Sequence, residues 1–339
     1  MKAVGYQHTL AINDPESLID IELPQPEASG RDVLVKVAAL SVNPVDTKIR
    51  SKVAPAAGEY KVLGWDAAGE VVACGDAVSM FKPGDKVYYA GALDRSGSNA
   101  EYQLVDERLV ALMPVNLTYE QAAALPLTAI TAWELLFDRL ELDQSSLKYP
   151  RPILLITGAA GGVGSVLVQL ARQLTSVCIV ATASRPETQA WVKALGAHYV
   201  IDHSKPLQPQ LAELGIDAVS HVASLTHTEQ HYPELVKLLA PQGKLALIDD
   251  PVGGIDIMPL KQKSISLHWE FMFTRSLFAT ADMHLQHQLL TDLSRLIEQG
   301  QIKTTLQQTM GSINAANLRR AHALLESGKA MGKIVLAGF

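Results

Sequence analysis

A loop of small residues lies between a strand pattern and a helix pattern near the middle of the chain. The loop reads Gly158-Ala159-Ala160-Gly161-Gly162-Val163-Gly164. It follows the apolar run Ile153–Thr157, and residues 162–174 continue with apolar residues at helical spacing. Small residues let a backbone approach a pyrophosphate, and the helix N-terminus offers N–H groups to it. In the G-x-G-x-x-G frame the first glycine is Ala159. The context predicts a dinucleotide-binding loop, with a glycine-rich turn that binds nothing as the alternative.

The tip of the next strand bears on which dinucleotide is bound. The strand pattern at 177–182 leads into Ala183-Ser184-Arg185-Pro186. NAD-binding proteins usually carry Asp or Glu at this tip for the ribose hydroxyls, and here Glu187 comes only after Pro186. Arg185 offers a guanidinium fork and Ser184 a hydroxyl, which suit a 2′-phosphate. We therefore predict NADPH as the cofactor, with a solvated surface arginine as the alternative reading of Arg185.

Two histidine pairs have spacings that could bind a metal. His227 and His231 are four residues apart, and His284 and His287 are three apart. Such pairs arise easily by chance in a chain with ten histidines. A zinc site needs three or four ligands, and neither pair has a cysteine or carboxylate that clearly completes it. We predict that these pairs bind no metal.

The arrangement of elements predicts two kinds of architecture. The first 125 or so residues read as short strands and turns, which are typical of a partly open β-barrel. Residues 119–140 read as a helix that Pro126 must interrupt. From 153 to 271 six strand patterns alternate with helices, the signature of a doubly wound parallel sheet. The segment after residue 280 breaks the alternation, and we expect it to pack back on the barrel.

Composition excludes several classes of protein. The 339 residues carry a net charge of −6, so the chain has no excess of positive charge that would attract nucleic acid. The two cysteines, Cys74 and Cys178, do not suggest a disulfide framework, so a reducing cytoplasm is expected. Residues 153–171 are uncharged and long enough to cross a membrane, but the glycines within them favour a strand, a turn and a helix. No signal peptide is apparent at residue 1, and no membrane association is predicted.

Several ordered motifs together resemble a known superfamily. They are Met1-Lys2-Ala3-Val4, Asn43-Pro44-Val45-Asp46, Leu63-Gly64-Trp65-Asp66-Ala67-Ala68-Gly69, Lys82-Pro83-Gly84-Asp85-Lys86-Val87, Pro126-Leu127-Thr128-Ala129 and Gly332-Lys333-Ile334-Val335-Leu336. With the glycine loop between the last two, the chain resembles the medium-chain dehydrogenase/reductase superfamily, in its quinone oxidoreductase-like branch. The run Trp269-Glu270-Phe271-Met272-Phe273 resembles the group labelled zinc-type alcohol dehydrogenase-like.

The resemblance implies an α/β fold with a GroES-like catalytic domain and a Rossmann NADP-binding domain. The expected bounds are 1–126 for the first part of the catalytic domain, 127–272 for the Rossmann domain and 273–339 for the return. It also implies hydride transfer from NADPH to quinones or α,β-unsaturated carbonyls, in a cleft between the domains. Thr128 corresponds to a position near the nicotinamide, and Lys333 is carried over as a cofactor contact. Pairing of residues 265–271 across two copies would make a homodimer.

Zinc ligands of the superfamily are replaced in this chain. Zinc-dependent relatives carry a cysteine where this chain has Asn43, three residues before Asp46, and Gly-His-Glu where it has Gly64-Trp65-Asp66. An amide is a poor zinc ligand and an indole is none. The four-cysteine structural site is also absent, because no cysteine lies between Cys74 and Cys178. The sequence therefore predicts no metal.

Without zinc, a conjugated acceptor is the easier substrate, because charge from an added hydride spreads onto a distant oxygen. Asn43 could donate its amide N–H, although it could simply organise the turn before Pro44. Trp65 could line the cleft or donate through Nε1, or it could belong to the core. Phe271, with Phe273, could form an apolar wall or a core or dimer contact.

Three functions remain open at this point. The first is an NADPH-dependent quinone or enone oxidoreductase, in which solvent protonates the product because no general acid is evident. The second is a zinc-type alcohol dehydrogenase-like enzyme. The third is a non-catalytic NADPH-binding or sensor protein, which would keep the same glycine loop.

Overall fold

The computed structural model describes residues 1–143 and 148–339, and these form two compact units. Unit 1 comprises Met1–Ile130 and Phe273–Phe339, and unit 2 comprises Thr131–Met272. The unit boundaries thus lie at 130/131 and 272/273, where the sequence places them at 126/127 and 272/273.

The strands, in chain order, are β1 (Lys2–Tyr6), β2 (Ile19–Glu22), β3 (Asp32–Val42), β4 (Lys61–Val62), β5 (Asp66–Cys74), β6 (Lys86–Ala90), β7 (Tyr102–Asp106), β8 (Val110–Leu112), β9 (Ile153–Thr157), β10 (Cys178–Thr182), β11 (Tyr199–Ile201), β12 (Val219–Ser224), β13 (Leu239–Leu247), β14 (Ser266–Trp269), β15 (Leu306–Thr309) and β16 (Lys333–Ala337). The α-helices are α1 (Pro44–Lys52), α2 (Tyr119–Ala123), α3 (Pro126–Trp133), α4 (Gly162–Leu174), α5 (Pro186–Ala194), α6 (Leu207–Glu213), α7 (Thr228–Leu238), α8 (Thr274–Leu277), α9 (Leu285–Glu298) and α10 (Ala315–Glu326). Short 3₁₀ turns cover Glu107–Leu109 and Met258–Lys263, and a π-helical turn covers Glu134–Arg139.

Unit 1 is built on the long strand β3. This strand pairs with β5, β7 and β16, within a sheet whose order is β15-β16-β3-β5-β6-β8, while β2-β1-β4 form a second sheet. Register shifts between β3 and β5 at Leu34/Val35 and Val37/Ala39 bend the pair, as a curved sheet requires. The close crossing needs Gly69, because a Cβ there would lie 2.1 Å from the Lys36 carbonyl oxygen. The partly open barrel expected from the sequence is confirmed.

Unit 2 is a parallel sheet in the order β11-β10-β9-β12-β13-β14. The residues of β12 are all buried, as in a sheet covered on both faces. The chain passes outward from β9 to β11 and then returns to β12 on the other side of β9. Ligands of such sheets bind where the order reverses, at the carboxyl ends of the strands. The predicted doubly wound sheet is confirmed, and its reversal point lies between β9 and β12.

The main differences from the expected elements occur at helices that contain prolines. The helix expected at 119–140 is divided into α2 and α3, with Pro126 as the first residue of α3, where its missing N–H costs nothing. The sequence pattern predicts a helix around residues 233–239, but helix α7 begins five residues earlier, at Thr228, and keeps Pro233 inside. Helix α6, with Pro209 in its first turn, is not foreseen. Among the described residues no helix is both long and apolar enough to span a membrane.

Candidate functional site

The glycine loop joins β9 to α4 at the carboxyl edge of the unit 2 sheet. Gly158 has φ +70°, and a Cβ at this position would lie 2.7 Å from Cγ2 of Thr226. A Cβ at Gly164 would lie 2.5 Å from the Cα atom of Ala159, so helix and loop can meet only at a glycine. Gly161 is the N-cap residue of α4 and has no side chain to accept from the first turn. The N–H groups of that turn are therefore suited to an anion such as a pyrophosphate.

The predicted 2′-phosphate residues lie at the tip of β10. Ser184 and Arg185 are both partly exposed, and Arg185 is the N-cap residue of α5. Thr188 fixes the Arg185 backbone, because its Oγ1 accepts from the Arg185 N–H at 3.3 Å and donates to the Arg185 carbonyl at 2.8 Å. The Arg185 Nε lies 3.3 Å from Glu187 Oε1, with the arginine side chain 40% exposed. An exposed pair of this kind is weak, so it competes poorly with a phosphate.

A chain of hydroxyl groups links the strand ends at the reversal point. Thr157 Oγ1 donates to Ser224 Oγ at 3.3 Å, and Ser224 Oγ lies 2.7 Å from Thr228 Oγ1. The Thr228 N–H and hydroxyl both donate to the Asp249 carboxylate. This network ties β9, β12, β13 and the start of α7 into one rigid edge. No local pattern predicts this network, although Thr157 and Ser224 end apolar strand runs and Asp249 follows the run that ends at Ile248.

Unit 1 contains a buried charged cluster centred on Lys333. The Lys333 ammonium donates to the Val42 carbonyl at 3.0 Å, to Asn43 Oδ1 at 2.5 Å and to Asp66 Oδ2 at 2.9 Å. Lys333 is 3% exposed and Asp66 is fully buried. Three donors on the ammonium thus meet three protein oxygens, which satisfies the buried cation.

The Asp66 carboxylate is the acceptor that organises this cluster. Its Oδ2 accepts from Ser41 Oγ at 2.9 Å and from Asn43 Nδ2 at 2.8 Å, in addition to Lys333. Its Oδ1 accepts from the Leu127 N–H at 2.7 Å, which ties it to the first turn of α3. Asp66 and Lys333 are 267 positions apart, so no local pattern announces the pair.

Zinc-dependent members of the superfamily that the sequence resembles hold a zinc ion, and the residues of unit 1 do not fit one. Asn43 presents an amide whose oxygen already accepts from the Lys333 ammonium, and Asp66 is neutralised by the same cation. Trp65 has no lone pair to offer a metal. Within the described parts of the chain no group of three or more His, Cys, Asp or Glu side chains could hold a metal ion.

The sequence predicts substrate contacts for Asn43 and Trp65, but in the structure both side chains form hydrogen bonds to other residues of unit 1. Asn43 is buried, and both atoms of its amide group are hydrogen-bonded within the cluster: Nδ2 donates to Asp66 and Oδ1 accepts from Lys333. Trp65 is 1% exposed, its Nε1 donates to the Ala92 carbonyl at 3.1 Å, and its ring packs edge-on against Phe273 at 5.8 Å. Trp65 therefore belongs to the core of unit 1, which is the alternative that the sequence left open. Asn43 positions other groups of the cluster.

Lys333 and Thr128 are likewise engaged, whereas Phe271 is accessible. A cofactor contact by Lys333 would require its ammonium to leave three buried oxygens, so we reassign this residue to the unit 1 cluster. Thr128 is buried in α3 and donates its hydroxyl to the Leu125 carbonyl at 3.0 Å. Phe271 follows the carboxyl end of β14 and is 46% exposed.

Asp46 has a structural role at the start of α1. Its Oδ2 accepts from the Asn43 N–H at 2.7 Å, which closes a capping box. Burial raises the pKa of Asp46 to about 7, and the Asn43 N–H and the Lys333 charge oppose that rise. The carboxyl group thereby holds the turn that carries Asn43.

Comparison with known families agrees with this architecture. The model for the alcohol dehydrogenase GroES-like domain matches residues 29–115, and the model for zinc-binding dehydrogenase matches residues 195–336. A zinc-type alcohol dehydrogenase-like protein of Staphylococcus epidermidis is 38% identical over 336 residues, covering 99% of each chain. A 2-methylene-furan-3-one reductase of Solanum lycopersicum is 31% identical over 92% of this chain and 73% of its own length.

Solved structures extend the comparison. A Rhizobium etli protein assigned to the zinc-dependent alcohol dehydrogenases superposes with a TM-score of 0.96 at 55% identity, covering 100% of this chain and 98% of its own. Escherichia coli quinone oxidoreductase, solved with NADPH, superposes with a TM-score of 0.84 at 25% identity, covering 99% of this chain and 100% of its own. The chain belongs to the medium-chain dehydrogenase/reductase superfamily, a family of oxidoreductases, and the expected resemblance is confirmed.

Proposed function

We propose that the protein is an NADPH-dependent reductase of quinones or α,β-unsaturated carbonyls that works without zinc. The observation that carries the proposal is the Lys333 ammonium bound by Asn43 and Asp66, the residues at or beside the zinc-ligand positions of the superfamily. The relatives support the acceptor class, since one is named as a furanone reductase and another as a quinone oxidoreductase. The zinc-type names of other relatives favour the alternative, a zinc-dependent alcohol dehydrogenase.

The residues of unit 2 bind and orient the cofactor in this proposal. The first turn of α4 takes the pyrophosphate, and Ser184 and Arg185 take the 2′-phosphate. When bound, NADPH supplies the hydride that reduces the acceptor. Phe271 offers an accessible apolar ring against which a flat conjugated molecule can pack. Asn43, Asp66 and Lys333 hold the start of α1 and of α3, and solvent supplies the proton to the product.

Replacement of Arg185 should separate the two cofactors. Arg185→Ala should weaken NADPH binding by about 1.5–3 kcal/mol, roughly 10- to 150-fold in Kd, because a charge-assisted phosphate contact is lost. NADH lacks the 2′-phosphate, so its Kd should barely change. Fluorescence titration of both cofactors measures this, with Arg151→Ala as the matched control, because Arg151 is exposed and precedes the opposite end of β9. An equal loss for both cofactors would refute the assignment.

Metal analysis tests the zinc-free part of the proposal. The purified protein should contain no stoichiometric zinc, and a strong chelator should leave its NADPH-dependent activity intact, because the buried cluster already contains its own cation. Elemental analysis before and after chelation, with the activity followed in parallel, decides the question. One zinc per chain that is lost together with activity would favour the dehydrogenase alternative.

The edge strand β14 supports the proposal of a homodimer. Among the residues that the structure describes, β14 is paired on one side only, with β13, and Trp269 on it is 55% exposed. An unpaired apolar edge tends to pair with another chain. The wild type should be a dimer in light scattering at micromolar concentration, and Trp269→Lys should shift it toward monomer. Tyr199→Lys on β11, the opposite edge, is the matched control and should stay dimeric. A monomeric wild type would contradict the proposal.

A further inference from the structure

Three histidines converge at the carboxyl edge of the unit 2 sheet. His203 follows β11, while His227 and His231 lie at the start of α7, after β12. The rings of His203 and His231 meet edge-on with centroids 6.1 Å apart. His227 is near enough to lower the pKa of both other imidazoles by charge repulsion. Loops from two different strands thus bring three titratable rings together.

The cluster lies beside the tip proposed to hold the 2′-phosphate. The parallel register pairs Thr182 of β10 with Ile201 of β11. Ser184 and His203 are each two residues beyond that pair, so they emerge side by side from adjacent strands. Arg185 follows directly. His203 is therefore the neighbouring cationic candidate at the place where Arg185 is expected to bind a phosphate.

On its other side, the cluster adjoins the glycine loop. The Thr226 side chain lies against Gly158, where an added Cβ would be 2.7 Å from the Thr226 methyl carbon. Thr226 Oγ1 is hydrogen-bonded to His227 Nδ1 at 2.8 Å. The histidines thus lie between the loop suited to the pyrophosphate and the tip suited to the 2′-phosphate. In NADPH these two phosphate positions are joined by the adenosine ribose.

One nitrogen of the histidine cluster has unused hydrogen-bonding capacity. The Nδ1 atom of His203 is buried and has no partner among the described residues. His227 has a left-handed backbone, with φ +52°, a conformation that is uncommon outside glycine and clusters at ligand sites. A buried imidazole nitrogen without a partner, beside a proposed phosphate position, is the group that an added anion would satisfy.

Three carboxylates face the cluster, and each of them accepts hydrogen bonds from neighbouring groups. His203 faces Asp202 and His227, and His231 faces His203, His227, Glu234 and Asp249. The Glu234 carboxylate accepts from two backbone N–H groups at the start of α6, and the Asp249 carboxylate accepts from Thr228.

The remaining carboxylate, Asp202, accepts from Ser204 and pairs with Lys205 at 3.6 Å. Burial is the main cause that lowers the pKa of His203 and of His231 below the ordinary value of an imidazole. A phosphate dianion beside them would raise both pKa values again, and binding would take up protons.

We propose that His203, His227 and His231 form a proton-linked site for the 2′-phosphate of NADPH, so that preference for NADPH over NADH increases as the pH falls. This inference rests on the proposed NADPH dependence. The sign follows from linkage: a group whose pKa rises on binding strengthens binding as the pH falls through the pKa of the complex. Protonation of the phosphate itself, with a second pKa near 6, works in the opposite direction, so a rise in preference must come from the protein.

Calorimetric titration with two probes tests the site. The probes are adenosine 2′,5′-bisphosphate and adenosine 5′-monophosphate, measured at about pH 8, 7 and 6 in buffers of different ionisation enthalpy. In the wild type the ratio of the two Kd values should grow about tenfold between pH 8 and pH 6, as one coupled proton allows. Binding of the bisphosphate should take up protons.

Variants assign the effect to the cluster. His203→Gln and His231→Gln should each flatten the pH dependence to within about twofold, while His8→Gln, at an exposed histidine of unit 1, should keep it. If one cluster variant fails to fold in circular dichroism, the other decides. A flat ratio in the wild type, or an unchanged rise in a folded cluster variant, overturns the inference and leaves the proposed reductase intact. A wild type that binds neither probe nor NADPH overturns both.

Discussion

The purified protein should oxidise NADPH with a simple quinone or a conjugated enal roughly 100-fold faster than it reduces NADP⁺ with short or benzylic alcohols. Alcohol oxidation requires an alkoxide, which zinc-dependent dehydrogenases stabilise by several kcal/mol of Lewis acidity. In this chain the corresponding region contains the Lys333 ammonium, whose three bonds go to protein oxygens. A conjugated acceptor has no such need, and orientation can provide much of its rate.

A matched pair of substrates sharpens this experiment. An enal and its saturated aldehyde share chain length and the carbonyl group, but only the enal is conjugated. At equal enzyme concentration the enal should be consumed much faster, because only its carbon–carbon double bond can accept the hydride while charge spreads to the oxygen. Alcohols that turn over faster than quinone and enal would show that the zinc-free reductase reading is wrong.

Lys333→Met should lower the free energy of unfolding by about 3–5 kcal/mol, because it removes one partner of a buried ion pair. Asp66 is fully buried and would retain only the neutral donors Ser41, Asn43 and the Leu127 N–H. Its carboxylate would then be an uncompensated charge at the base of α3. Urea unfolding followed by circular dichroism and tryptophan fluorescence measures the loss.

Two further variants control the stability experiment. The exposed Lys82→Met should change the free energy of unfolding by less than about 0.5 kcal/mol, as surface substitutions usually do. Adding Asp66→Asn to Lys333→Met should recover part of the loss, since the buried charge is then removed as well. A loss below about 1 kcal/mol in Lys333→Met alone would show that the pair is not the centre of the cluster.

Local features of the sequence were sufficient for the strand and the helix on either side of the glycine loop in unit 2. Strand β9 and helix α4 have the bounds expected from the apolar runs around the glycine loop, because hydrophobic periodicity and glycine conformation act over a few residues. Helix α7 is different. Its early start at Thr228 depends on Asp249, which accepts from the Thr228 N–H and lies 21 positions away. Because the stabilising carboxylate comes from a distant part of the chain, the residues around Thr228 contain no pattern that predicts this helix start.

Features of the candidate site likewise fall into two groups: those that the sequence identifies and those that only the fold brings together. The sequence by itself determined the superfamily, the two-part architecture and the glycine loop, because each rests on residues that are adjacent or follow in order. Only the tertiary structure placed Lys333 with Asn43 and Asp66, and His203 with His231. These side chains meet because β16 pairs with β3, and because the loop after β11 reaches the start of α7. Such encounters depend on strand order and burial over the whole chain, which no short pattern of residue types encodes.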